Sequence, residues 1–136
     1  MKDICQKEVN DLHQFFEDWF SGAIPQTEES FSRVQRALSD DFAIVGPNGR
    51  LTARDPLLQG LYAAYLGRTS FRIWIENYAL QQQIGDIAIV TYEEWQEIDG
   101  EITSRLSTAV FQKAPSAPNG VRWLHVHETW QDNNSH

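Results

Sequence analysis

The hydrophobic period of this chain changes along its length, and any fold has to accommodate that change. In the first 41 residues, apolar side chains recur at three- and four-residue steps; from Ser70 onward they fall in long strand-like runs. Four runs stand out: Phe71 to Gln82, Ile87 to Ile98, Glu101 to Gln112 and Val121 to Gln131. Gly85-Asp86 and Asp99-Gly100 are tight-turn dipeptides, the second a strong two-residue hairpin signal, and a looser loop at 114–120 precedes the last run. Helices first and sheet after predict an α+β arrangement.

The first helix carries Leu12, Phe15, Phe16, Trp19 and Phe20, with Gly22 and Pro25 ending it. A second is predicted from about Glu28, capped by Thr27, with Phe31, Val34 and Leu38 on one face and Ser39-Asp40-Asp41 at its end. Phe42 to Val45 and Arg50 to Thr52 form a small hairpin around Gly46-Pro47-Asn48-Gly49. A third helix follows, with Asp55 as cap, Pro56 at the first position, Leu57, Leu58, Leu61, Tyr62, Tyr65 and Leu66 on its apolar face, and Gly67 in the left-handed conformation at its end.

At 136 residues the chain suits one domain, read as 1–131 with a polar tail at 132–136. Five Trp, four Tyr and seven Phe can fill its core. The formal charge of −8 repels phosphate backbones and anionic lipids, which counts against nucleic-acid and membrane-surface partners. No apolar run approaches the roughly 20 residues of a membrane span, and the polar segment from Met1 to Asn10 is unlike a secretory leader. The lone Cys5 excludes an intramolecular disulfide and has no positioned partner His for a nucleophile role. The expectation is a cytoplasmic protein without cofactor.

Several segments, taken in order, carry a resemblance: Leu38-Ser-Asp-Asp-Phe-Ala-Ile-Val-Gly-Pro47, Gly49-Arg-Leu-Thr52, Gly85-Asp-Ile-Ala-Ile-Val90 and the closing Trp123-Leu-His-Val-His127. Together the chain resembles the nuclear transport factor 2-like superfamily, in particular its SnoaL-like branch. The resemblance implies a cystatin-like, cone-shaped α+β barrel, with N-terminal helices packed into a strongly bent antiparallel sheet. The superfamily hosts isomerases, dehydratases, hydrolases, transport factors and oligomerisation modules, so it does not fix a reaction. Its ketosteroid isomerases use an Asp base and an oxyanion hole of a Tyr and a protonated Asp. Laid along this chain, those positions fall on Gly46, Phe15 and Ser107; the first two lack the needed groups, which implies a different activity.

A regular Asp99-Gly100 hairpin pairs Glu94 with Arg105, Tyr92 with Ser107, Val90 with Ala109 and Ala88 with Phe111, all on one sheet face. The resemblance places that face inside the cone, although the same pairs also describe a salt bridge above an ordinary core. Glu93, Trp95 and Glu97 lie on the opposite face with Leu106, Thr108 and Val110. The resemblance implies that this outer face pairs with a second subunit, putting Glu93, Trp95 and Thr108 at a homodimer interface. His125 and His127 are two apart on a strand and point to the same side. With Glu93, Glu94 or His13 they suggest a metal site; without one they are structural hydrogen-bonding groups or an acid–base pair, and the reading adopted includes no metal. Whether they share a face with Arg105 depends on the register across the 114–120 loop.

The reading that results is a homodimer binding a small, largely apolar molecule with one polar end. Phe16, Trp19, Tyr62 and Trp74 are the expected walls, and Tyr92, Arg105, Ser107, His125 and His127 the polar groups. A catalytic version is a cofactor-free proton transfer (isomerisation, dehydration or hydrolysis), with His127 as acid or base and Arg105 stabilising negative charge. The alternative is a non-catalytic association module, similar to the hub of calmodulin-dependent kinases, whose closing strand also ends in His-x-His.

Overall fold

The computed structural model describes residues 1–68 and 70–132, so most of the expected polar tail, 133–136, lies outside the described residues. Helix α1 (Lys2–Ser21) buries the expected stripe except for Phe16, which is half-buried, and adds Cys5, Glu8, Val9 and His13 to it. It ends at Gly22, whose left-handed φ of 78° lets its N–H reach the Asp18 and Trp19 carbonyls. A Cβ at Gly22 would lie 2.3 Å from Leu66 Cδ2, so glycine is also needed there for close approach.

Helix α2 (Glu28–Ala37) starts at Thr27, whose hydroxyl accepts the Ser30 N–H at 3.1 Å. It stops earlier than its polar end suggested, because Leu38 already pairs with Trp123 and strand β1 (Leu38–Val45) takes in Ser39-Asp40-Asp41. Strand β2 (Leu51–Ala53) returns beside it, with Gly46 N–H donating to the Arg50 carbonyl at 3.0 Å across the turn. Helix α3 (Arg54–Ala63) begins one residue before the expected Asp55 cap; Asp55 instead lies in its first turn, where a carboxylate favours the helix dipole. The left-handed residue beyond it is Leu66, at φ 61°, rather than Gly67.

The rest is β3 (Phe71–Ile84), β4 (Ile87–Ile98), β5 (Glu101–Lys113), a 3₁₀ turn (Pro118–Gly120) and β6 (Val121–Trp130). The sheet order is β2-β1-β6-β5-β4-β3, antiparallel except where β1 runs parallel to β6. Asp99 and Gly100 both have positive φ, 53° and 84°, so the hairpin turn has the twist that suits flanking strands. All four expected β4–β5 pairs are present. Extra residues on β3, one between Glu76 and Ala79 and one between Leu80 and Gln82, shift its register against β4; another at Leu124 shifts β6 against β5. Such bulges bend and twist a sheet locally.

α1 packs against the sheet's inner face, and Glu17 Oε1 accepts the Ile73 N–H at 2.9 Å. Glu8, fully buried, ties four elements together. It accepts both Arg33 Nη groups (3.2 and 2.7 Å), Asn119 Nδ2 (2.9 Å) and Trp123 Nε1 (2.9 Å).

Candidate functional site

A cavity of about 190 Å³ lies between α1, α3 and the inner sheet face. Its walls are apolar, among them Leu12, Phe16, Phe42, Leu57, Leu61 and Ile73. One end is different: His13, Tyr92, Glu94, Gln96, Arg105 and Glu128 converge there. Strand alternation brings Tyr92, Glu94 and Gln96 from β4 to the same side as Arg105 and Ser107 of β5 and Glu128 of β6, because Arg105 is opposite Glu94 and Ser107 is opposite both Tyr92 and Glu128. His13 arrives from α1, one helical turn before Phe16.

The hydrogen bonds fix most of the charges. His13 Nδ1 is 2.7 Å from the Val9 carbonyl, which can only accept, so that nitrogen carries a proton. Nε2 is 2.9 Å from Glu94 Oε1, and toward an ionised Glu94 it must donate as well. His13 is therefore an imidazolium paired with a carboxylate. Burial pushes its pKa down, but the charge and hydrogen bond of Glu94, with help from the Val9 carbonyl, push it up further. Glu94 also accepts from Gln96 Nε2 at 2.6 Å and has Arg105 Nε at 3.8 Å from its other oxygen. Burial raises its pKa, the His13 charge and hydrogen bond with Arg105 and Gln96 lower it, and the balance holds it at about 2.

Glu128 differs. It accepts from Arg105 Nη1 at 3.1 Å and Ser107 Oγ at 3.4 Å. Burial and the nearby Glu94 charge outweigh Arg105 and His13, so its pKa rises to about 7. Tyr92, bonded to Ser107, is pushed well above the usual phenol value, chiefly by burial and then by Glu94. Arg105 lies over the Trp130 ring at 4.7 Å, and its buried Nε has no hydrogen-bond acceptor among the described residues.

These shifts predict an acid-side optimum of stability. Glu94 contributes above its unfolded pKa of about 4.3, and the contribution is lost as pH falls toward 2. Glu128, with its pKa raised, favours the folded state below about 4.3, and that contribution is lost as pH rises through about 7. His13 adds a contribution present below about 6.5 and lost on the alkaline side. Calorimetry should therefore place the highest Tm near pH 5. Glu128→Gln should flatten the alkaline limb, matching or exceeding the parent Tm at pH 8.

Of the expected site residues, Phe16, Tyr92 and Arg105 line the cavity, and Ser107 sits just behind it, bonded to Glu128 and Tyr92. The other positions need correction. His127 pairs with Thr108 and His125 with Val110, so both histidines point to the outer face, away from Arg105. The cause is the bulge at Leu124, which places Trp123 and Val126 inward three residues apart and flips the parity of the strand. Trp74 also faces outward, stacked on its partner Trp95 with ring centroids 6.1 Å apart. Trp19 is fully buried behind the cavity, donating to the Leu61 carbonyl at 2.7 Å. Tyr62 packs on Trp19 and Phe31 and opens onto a separate cleft between α2 and α3. Glu93, Trp95 and Thr108 do share the outer face. There Glu93 accepts from Asn77, Trp95 and Gln131. Among the described residues, no cluster of three or more His, Cys, Asp or Glu has metal-binding spacing, and no helix is long and apolar enough to cross a membrane.

The helices, the six-stranded sheet and the cavity between them define a nuclear transport factor 2-like, cystatin-like α+β fold. An NTF2-like protein of unknown function from Pseudomonas aeruginosa superposes with a TM-score of 0.85 at 23% identity, over 95% of this chain and 99% of the other. The CaMKII association domain of C. elegans superposes at 0.62 with 15% identity, over 94% and 97%. At the sequence level, the model of the sucrose-6-phosphate phosphohydrolase C-terminal family matches residues 5–132, and the chain belongs to that family. Sucrose-phosphatase 2 of Nicotiana tabacum is 29% identical over 128 residues, which are 90% of this chain and 30% of the relative. Probable sucrose-phosphatase 3a of Arabidopsis thaliana is 22% identical over 134 residues, 94% of this chain and 30% of the relative. The chain thus spans about a third of the length of the curated relatives it matches.

Proposed function

We propose that residues 1–131 form one small-molecule-binding domain that works as a homodimer in the cytoplasm. The cavity carries this reading: an apolar chamber ending in four ionisable groups and an unpaired guanidinium donor is an expensive arrangement for a core and a useful one for a ligand. An engineered apolar cavity of about 150 Å³ accepts benzene, so 190 Å³ suits a single ring or short branched chain with one polar group. A disaccharide phosphate is too large and too polar for it. If the bound molecule reacts, the chemistry is proton transfer without a cofactor. Glu128 is the acid or base, poised near neutrality, and Arg105 stabilises developing negative charge.

The test is thermal unfolding with single-ring compounds bearing one polar group. At about a hundred times Kd, a bound compound adds about 2.7 kcal/mol and raises Tm by several degrees. Leu61→Phe, which fills the chamber, should remove the rise. A full panel without any rise contradicts the reading.

The outer sheet face favours a second reading, an association module. It carries the Trp74–Trp95 stack together with Leu106, which is 40% exposed. Native mass spectrometry separates the two: a dimer agrees with the first reading and a larger ring with the second. In either case Glu93→Arg, which sets a cation in that face and breaks three hydrogen bonds, should reduce the assembly to monomers, and Trp95→Ala should weaken it at least tenfold. Variants that keep the parent mass at low micromolar concentration would place the interface elsewhere.

A further inference from the structure

The polar end of the cavity is selective about the charge of what it can accept. Each of the four carboxylate oxygens there already has a hydrogen-bond partner: Glu94 Oε1 has His13, Glu94 Oε2 has Gln96, Glu128 Oε1 has Arg105 and Glu128 Oε2 has Ser107. Arg105, a side chain of the cavity wall, keeps one donor without an acceptor: its buried Nε–H, 3.8 Å from Glu94 and too far for a hydrogen bond. A ligand is therefore invited to bring an acceptor.

Charge counting points the same way. His13 and Arg105 are cations and Glu94 is an anion, so the sign of the site depends on Glu128. With Glu128 ionised the four charges cancel; with it protonated, one positive charge is left in an apolar chamber. Its neighbours on every side act on this equilibrium: Glu94 and Tyr92 from β4, Arg105 and Ser107 from β5, and His13 from α1.

Resting on the ligand-binding reading above, we infer that the cavity takes a small organic monoanion, a carboxylate on a single ring or short apolar chain, and takes up one proton at Glu128 as it does so. The carboxylate accepts from Arg105 Nε–H and from the Glu128 hydroxyl, and its apolar body lies along Phe16, Leu57 and Leu61. The proton comes from solvent, so the occupied site is neutral overall. A cationic ligand would instead meet Arg105 and His13 with every carboxylate oxygen already engaged. Glu128 titrates at about 7, which puts the proton uptake in the neutral range.

Three nearly isosteric probes test this on the full chain by calorimetry or ligand-observed NMR: benzoate, benzamide and benzamidine. Benzoate should bind at least tenfold more tightly than benzamidine at pH 6. Benzoate stays ionised across the range, so its affinity should fall about tenfold between pH 6 and pH 8 as Glu128 loses its proton. In Glu128→Gln, a permanently neutral donor, the pH dependence should vanish and binding at pH 8 should rise to the parent's level at pH 6. In Arg105→Met, the preference for benzoate over benzamide should disappear.

Benzamide or benzamidine binding as well as benzoate would overturn the anion assignment and leave the ligand-binding reading standing. A pH dependence that persists in Glu128→Gln would overturn the proton linkage. Failure of benzoate to bind would overturn the inference, while the ligand-binding reading falls only if the wider panel of single-ring compounds also fails to bind.

Discussion

Replacing Glu94 with Ala should lower stability by about 3–5 kcal/mol, the usual cost of stripping one partner from a buried ion pair. Glu94 is 6% exposed and balances two cations, His13 at 2.9 Å and Arg105 at 3.8 Å. Without it the His13 imidazolium faces an apolar chamber and must give up its Nε2 proton, while Arg105 falls back on Glu128 alone. In a chain of this size the loss corresponds to a drop in Tm of about 10 °C or more. Glu94→Gln should cost much less, because the amide can donate to a neutral His13 Nε2. The double variant His13→Leu/Glu94→Leu should be more stable than Glu94→Ala, since it removes the buried cation along with its partner. Thermal unfolding of the three variants checks this. A Glu94→Ala protein within 1 kcal/mol of the parent would mean that the pair does not hold the inner face together.

The second large effect is at Glu8, away from the cavity. Its carboxylate collects donors from Arg33 on α2, Asn119 in the 3₁₀ turn and Trp123 on β6, and is itself on α1. Glu8→Ala leaves the indole N–H of Trp123 buried without this partner and removes the anion from Arg33. Only 23% of the Arg33 side chain is exposed. The two losses together should cost about 3–5 kcal/mol. Asn119, held at a left-handed φ of 57°, would keep only its bond to Asp11. The expected signature is local as well as global: hydrogen-exchange protection should fall first around the 114–120 loop and the start of β6. Arg33→Met should reproduce part of the loss, and the two substitutions together should cost less than their sum. Full additivity would contradict a shared anchor.

How much of this was legible in the sequence depended on which turns were regular. Asp99-Gly100 joins its strands without a slip, so pairing Glu94 with Arg105 and Tyr92 with Ser107 required only counting back from the turn. No comparable ruler spans the 114–120 loop, and the bulge at Leu124 reversed the face of every later residue. That one residue separates the expected His127 from the Glu128 that the fold delivers to the cavity. Trp74 could have been placed correctly. Counting from Ile84 opposite Ile87 puts it outward, and two one-residue slips on β3 move its partner without changing its side. His13 was legible too, one turn from Phe16 on the apolar stripe, but a histidine on a helix gives no warning that a carboxylate 81 residues away will hold its charge. The role of Glu8 depends on donors from three other elements, and no local pattern announces such a convergence.

The chemistry of the site turns on the ionisation of three side chains at one end of the cavity, and heteronuclear NMR can observe that directly. ¹⁵N shifts of the His13 ring and ¹³C shifts of the Glu94 and Glu128 carboxyls, followed from pH 3 to pH 9, form the decisive measurement. His13 should carry protons on both nitrogens at pH 7. Glu94 should stay ionised down to the acid end of the range, and Glu128 should titrate near 7. A neutral His13 with one N–H at pH 7, together with Glu128 titrating near the ordinary carboxylate value, would contradict the account of the site.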